Sequence, residues 1–215
     1  MEKLLEHINV KNTRISAVDG KVLDPNQYDH AKLSNGEIAC CLSHIKAISY
    51  LSKLDGDYFL IMEDDVSLAN SLLFDKTLDD IIDDCLKTVA NFDILMIQKT
   101  YNKELKNTYT KWTHESEIYS TASYIISRDA VKKFISNTAS MNDDLRLNYL
   151  RRPLEVADEY IYKYLETYVY KYNYVNTLDE TSLIHNDHLS SHKKSSEVQL
   201  AIICQDMIQI DKTRE

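Results

Sequence analysis

Asp57-Tyr58-Phe59-Leu60-Ile61-Met62-Glu63-Asp64-Asp65-Val66-Ser67 sets an unbroken apolar run directly before three consecutive acids. Tyr58 to Met62 follows the turn signal Asp55-Gly56. Its length and bounding predict a strand buried on both faces, as in a mostly parallel sheet. Adjacent carboxylates repel one another, so the acids at the end of such a strand need either water or a compensating cation. Two readings fit. One is a solvated strand end. The other is a ligand site, since open α/β sheets bind ligands at the carboxyl ends of their strands. Mg²⁺ and Mn²⁺ favour carboxylates together with substrate phosphate oxygens.

On the N-terminal side, Ser34-Asn35-Gly36-Glu37 fits a capping box. The helix behind it extends to about Lys53, with Ile38, Cys41, Ile45 and Ile48 on one stripe. Ser43 and His44 fall near its middle, as a packing pair or as part of a site. Further upstream, residues 1–8 read as the end of a helix. Arg14 to Val18 reads as a short strand closed by Asp19-Gly20, and residues 21–33 as irregular.

On the C-terminal side, Leu78 to Val89 is amphipathic, and Asp79, Asp80, Asp83 and Asp84 form its solvated face. Asp93 to Ile97 is a second buried strand. Residues 98–118, which include Trp112 and His114, form a long connection of the kind that carries function. Thr121 to Ser127 reads as a strand and Arg128 to Ser136 as a helix. Leu154 to Ala157 is a short apolar segment followed by Asp158-Glu159. Asp158 is there either as N-cap of a helix over Tyr160 to Glu166 or as a catalytic acid. Tyr168, Tyr170, Tyr172 and Tyr174 alternate, which puts their rings on one strand face, a pattern of packing more often than of ligand stacking. Residues 177–195 are polar and include His185, His188 and His192; a histidine beside a bound cation is a credible ligand. Ser196 to Ile210 resumes a helical stripe suited to docking on the domain, on a partner chain or on a membrane surface, with the domain expected first.

Alternating strands and helices predict an α/β fold, divided into a domain over residues 1–192 and a helical extension over 193–215. A net charge of −9 argues against nucleic acid as partner and offers no pull toward anionic lipid. No apolar run approaches the roughly 18 residues of a membrane-spanning helix, and the first residues lack the apolar core of a signal peptide. Cys40, Cys41, Cys85 and Cys204 have no zinc-type spacing and read as reduced thiols. With only three glycines in the chain, a glycine-rich phosphate loop is excluded, so any diphosphate must be held by a metal or by basic side chains.

Leu33 to His44, followed by Leu60 to Val66, resembles the bacterial family 25 glycosyltransferases of lipooligosaccharide biosynthesis. Ala17-Val18-Asp19-Gly20 fits ahead of these motifs, Thr121 to Ser127 with Ala130 fits the later strand-helix pair, and Val156-Ala157-Asp158-Glu159 corresponds to the family's second acidic site. The resemblance implies a GT-A-like nucleotide-diphospho-sugar transferase fold. Relatives open with a strand placed before the position of Met1, so the fold is expected here without its usual first strand. The reaction implied is inverting transfer of a hexose, commonly from UDP-galactose, to a lipooligosaccharide core sugar at the cytoplasmic face of the inner membrane. The expected cofactor is Mn²⁺ or Mg²⁺ on Asp65, with Glu63 and Asp64 sharing metal or substrate contacts and His185 a further ligand. Asp158 is the expected general base, with Glu159 in reserve; Asp19, Gly20, Ser43 and His44 are expected near the substrate. Two other classes remain open: a metal-dependent hydrolase of sugar nucleotides or phosphate esters, and a shortened, non-catalytic relative that binds a glycan or a partner.

Overall fold

The computed structural model describes residues 12–30, 32–101, 103–142, 144, 146–177 and 188–214. Helix α1 (Asn35–Leu51) begins where its capping box places it. The Glu37 N–H donates to Ser34 Oγ at 3.3 Å, and the Ser34 N–H donates to Glu37 Oε2 at 2.7 Å. Ile38, Cys41, Ile45 and Ile48 are all buried along one face. Ser34→Ala is expected to cost about 1 kcal/mol, seen as a lower urea midpoint. An unchanged midpoint would show that packing, not the cap, sets where the helix starts.

The chain continues through β1 (Tyr58–Met62), β2 (Val66–Ser67), α2 (Leu78–Val89), β3 (Ile94–Met96), β4 (Tyr109–Lys111), β5 (Ser123–Ser127) and α3 (Arg128–Thr138). It then forms β6 (Ala139–Met141), β7 (Leu147–Leu150), α4 (Ala157–Tyr162), β8 (Thr167–Tyr170), β9 (Asn176–Thr177) and α5 (His188–Arg214). The central sheet has the order β1-β5-β3-β8-β4. The fold is therefore α/β, but the sheet is mostly antiparallel: β5 runs against both of its neighbours, β4 runs against β8, and only β3 and β8 are parallel. The reason is visible in the connections. Helix α2 carries the chain from β1 to β3 in the same direction, as the alternating pattern implies. The next connection brings no crossover helix, so the chain returns reversed and β5 inserts between the two strands.

Side chains on the inner strands alternate between two layers. Ile94, Met96, Tyr124 and Ile126 pack with α1, α3 and α4, while Leu95, Ile97 and Ile125 pack with Ile81, Ile82 and Cys85 of α2. Each fully buried isoleucine contributes about 2–3 kcal/mol. Burial on both faces belongs to β3 and β5. β1 is a sheet edge among the described residues, with Tyr58 and Phe59 half-buried and Leu60 37% exposed. A five-residue apolar run cannot by itself distinguish an edge strand from a central one.

Other local expectations also change. Arg14 to Val18 forms no strand; the Val18 N–H instead donates to Ser43 Oγ at 2.9 Å, which lays this segment on α1. Residues 1–8 lie outside the described residues. The connection after β3 is shorter than expected because it contains β4 and a turn of 3₁₀ helix over His114–Ser116. The tyrosines do not share one strand face, because β8 ends at Tyr170. Tyr170, Tyr172 and Tyr174 close instead around Phe74, with ring centroids 5.4–6.5 Å away, so they are packing. Asp79, Asp80 and Asp83 are exposed as expected.

Helix α5 docks on the rest of the chain. The Tyr101 N–H donates to Ser195 Oγ at 2.8 Å, and Gln199 Nε2 donates to Tyr101 O at 3.0 Å. Asp206 accepts from Lys171 Nζ and Tyr172 OH, and Ile203 is buried. Among the described residues no helix is long and apolar enough to cross a membrane.

Candidate active site

The acids at the end of β1 differ in burial. Glu63 turns inward: its backbone N–H donates to Ala122 O at 2.9 Å, and its Oε1 accepts from Thr121 Oγ1 at 2.8 Å and from His44 Nε2 at 3.1 Å. Asp64 is exposed and Asp65 half-buried. His44, buried in the middle of α1, sets its other ring nitrogen 3.1 Å from Tyr124 OH. Burial disfavours its charged form, yet the surrounding Tyr124, Cys40 and Glu63 outweigh this and raise its pKa well above the ordinary 6.5. A buried imidazolium against a carboxylate is the arrangement favoured.

The second acidic site comes from α4, whose Tyr162 packs against the same Tyr124 that His44 touches. Helix α4 begins at Ala157 after Val156, which makes no side-chain cap, so Asp158 is not the N-cap the sequence offered. Its position in the first turn frees its carboxylate to accept from the Ser120 N–H at 2.5 Å. Ser120 has φ of 127°, a conformation that costs a non-glycine residue on the order of 1–3 kcal/mol. Several contacts hold it there. Its Oγ donates to Gln98 Oε1 and accepts from the Ala122 N–H, and its carbonyl accepts from Tyr162 OH at 2.7 Å.

Asp158 lies within electrostatic reach of Glu63 and His44. Burial is the main cause that raises its pKa from 3.8 to about 6, with the Glu63 charge adding to it and the Ser120 hydrogen bond opposing it. The desolvating wall is aromatic: Tyr162 meets Tyr124 and Trp112 edge-on at centroid distances of 5.9 and 5.7 Å. Glu159, in contrast, points away to accept from His114 Nδ1 at 2.5 Å.

Behind this site lies a buried lysine. Lys99 Nζ donates to the carbonyls of Tyr170 and Lys171 and to Asn173 Oδ1, and Asn173 also bonds the backbone N–H and C=O of Lys99. Burial, with a smaller contribution from Lys171, lowers the Lys99 pKa to about 7. The cage fixes the segment carrying Gln98 and Thr100, and the latter bridges Tyr119 beside Ser120.

The remaining sequence candidates are placed as follows. Asp19 is exposed and its carboxylate accepts from the Lys21 N–H within its turn. A methyl group on Gly20 would come within 3.0 Å of Asn35 O, so the close approach to the start of α1 suits glycine. The Ser43 hydroxyl donates to Ala39 O and accepts from Val18, which makes it part of the packing of α1. His185 lies outside the described residues. Ser120, Tyr124 and Gln98 complete the surroundings without a sign in the sequence, while Thr121, His114 and Cys40 stand out there only as a strand start, part of a long connection and a thiol.

Two acidic sites within electrostatic reach of one another suit a group transfer in which one handles negative charge and the other handles a proton. The model of glycosyltransferase family 25 (LPS biosynthesis protein) matches residues 1–151. The chain belongs to glycosyltransferase family 25. The match takes in α1, the acidic end of β1, Thr121 and the strand that carries Tyr124. Asp158 falls beyond it, so its assignment rests on the geometry above and on the sequence motif. A curated relative, the lipooligosaccharide biosynthesis protein lic2B of Haemophilus influenzae, is 31% identical over 122 residues, which cover 54% of this chain and 46% of the relative. The chain thus spans about half the length of the curated relative it matches.

Proposed function

We propose that this family 25 transferase moves a hexose, with galactose from UDP-galactose as the leading donor, onto a core sugar of lipooligosaccharide with inversion at the anomeric carbon. The observation that carries the reading is Asp158: a half-buried carboxyl with a pKa of about 6, aimed by a strained backbone N–H and set beside Glu63 and His44. A general base works best when its pKa lies near the working pH. Asp158 takes the proton of the attacking acceptor hydroxyl, and Glu159 supports the same turn of helix through His114.

The donor set at the end of β1 is all carboxylate oxygen, which fits a hard divalent cation. Asp65 and Asp64, with Glu63 oriented behind them, would hold Mn²⁺ or Mg²⁺, which supplies Lewis-acid neutralisation of the departing diphosphate. His44 holds Glu63 in place and, as imidazolium, adds positive charge near the leaving group. The acceptor implies work close to the inner membrane, with the chain as a peripheral visitor.

Asp65→Ala is expected to lose Mn²⁺-dependent UDP binding, measured by calorimetry with and without the ion. Unaltered affinity would remove Asp65 from the donor site. UDP-galactose turnover should require a lactoside-like acceptor, and release of free galactose at the same rate without one would overturn transfer in favour of hydrolysis.

A further inference from the structure

Cys40 and His44 stand one turn apart on α1, so their side chains project from one face of the helix. Glu63 meets that face from the end of β1. The Cys40 Sγ, a His44 ring nitrogen and a Glu63 carboxylate oxygen all lie within 4.8 Å of one another. We infer that Cys40, His44 and Glu63 form a binding site for a borderline-soft divalent ion of the Zn²⁺ class.

Three features support this beyond proximity. The first is donor chemistry: thiolate, imidazole and carboxylate together select Zn²⁺ over Mg²⁺ or Mn²⁺, which prefer oxygen alone. The second is span. Tetrahedral Zn²⁺ with bonds of about 2.0–2.3 Å holds its donors roughly 3.3–3.8 Å apart, so these groups need move only about 1 Å to converge. The third is outer support. His44 has its second nitrogen against Tyr124 OH at 3.1 Å, and Glu63 is steadied by Thr121 at 2.8 Å. Ligands in metal sites characteristically have such partners. Cysteine spacing taken alone gives no hint of the site, because its partners are a histidine and a distant glutamate.

When the sulfur–metal bond forms, the Cys40 thiol gives its proton to the buffer, and His44 binds as neutral imidazole after losing its own. The ion replaces the His44–Glu63 hydrogen bond and leaves a coordination position for water or a substrate oxygen. The soft ion takes His44 and Glu63, so when bound it would supply, in place of the imidazolium, the positive charge beside the leaving group; the hard cation assigned to Asp64 and Asp65 uses neither Cys40 nor His44.

The test is titration of the metal-free full chain with Co²⁺, followed by displacement with Zn²⁺. One equivalent of Co²⁺ should give a thiolate-to-cobalt charge-transfer band in the near ultraviolet, and Zn²⁺ should bleach it. Cys40→Ser should lose the band, whereas Cys204→Ser and Asp65→Ala should keep it. His44→Gln should weaken Zn²⁺ binding by at least about tenfold in calorimetry, and this arm decides the matter if Cys40→Ser does not fold. No band in the unmodified chain, a band that survives loss of Cys40, or unchanged Zn²⁺ affinity in His44→Gln overturns the assignment. The Asp65→Ala nucleotide experiment is read independently, so either assignment can fail alone.

Discussion

Asp158→Asn is expected to silence transfer and stabilise the fold in the same stroke. Losing a general base costs on the order of 10²–10⁴ in rate. The stability effect follows from the raised pKa. A carboxyl that titrates at about 6 in the folded chain and at 3.8 when unfolded leaves folding unpenalised below about pH 3.8. Stability is then lost as pH rises through about 6, because the folded state is slower to give up the proton. That difference corresponds to about 3 kcal/mol at full burial; half-burial leaves on the order of 1–3 kcal/mol. Asparagine removes the charge and keeps an oxygen for the Ser120 N–H. The variant should therefore unfold at a higher urea concentration at pH 8, with the gain narrowing steadily below pH 6. Near-normal turnover would take Asp158 out of the chemistry. An equal midpoint at pH 8 would show that its carboxylate is well solvated.

Asn173→Ala is expected to destabilise the fold by about 3–5 kcal/mol. It strips partners from the backbone N–H and C=O of Lys99 and one acceptor from its ammonium group, all in a buried setting. The pH dependence gives the result a signature. Lys99 titrates at about 7 when folded and at 10.5 when unfolded, so the cost of burying its charge is full below pH 7 and is relieved as pH rises toward 10.5. The variant should therefore lose more at pH 6 than at pH 9, where a neutral amine asks less of its acceptors. Urea unfolding at both values measures this. A loss below about 1 kcal/mol at pH 6 would mean that the Tyr170 and Lys171 carbonyls suffice.

Much of the local structure was legible because it is written in local chemistry. Ser34 and Glu37 mark the start of α1 through side chain–backbone bonds that span only three residues. The stripes of α1 and α2 declare their buried faces through periodicity alone. Strand pairing carries no such mark. Ser123 to Ser127 reads as a strand, but nothing in those residues says that it inserts between β1 and β3. The expectation of parallel pairing failed there, and so did that of a two-sided burial for Tyr58 to Met62. The site divides in the same way. The acidic triplet stands out because three carboxylates interrupt an apolar run. Ser120, Thr121 and Tyr124 are ordinary residues that matter only because β5 and the segment leading into it bring them beside Glu63 and Asp158. Cys40 does carry a signal, its spacing of four from His44, but its third partner, Glu63, is distant in sequence.

The insertion of β5 also dictates the order in which the molecule can be made. During synthesis β1 and β3 leave the ribosome before the segment that must lie between them, and they cannot close on each other without shutting it out. Loop-closure entropy must be met before the middle of the sheet yields any contact, a topology that slows assembly. The residues that seat Asp158 and Glu63 against one another belong to that late arrival. A nascent chain thus remains without its paired acids until both β5 and the helix that carries Asp158 have been made.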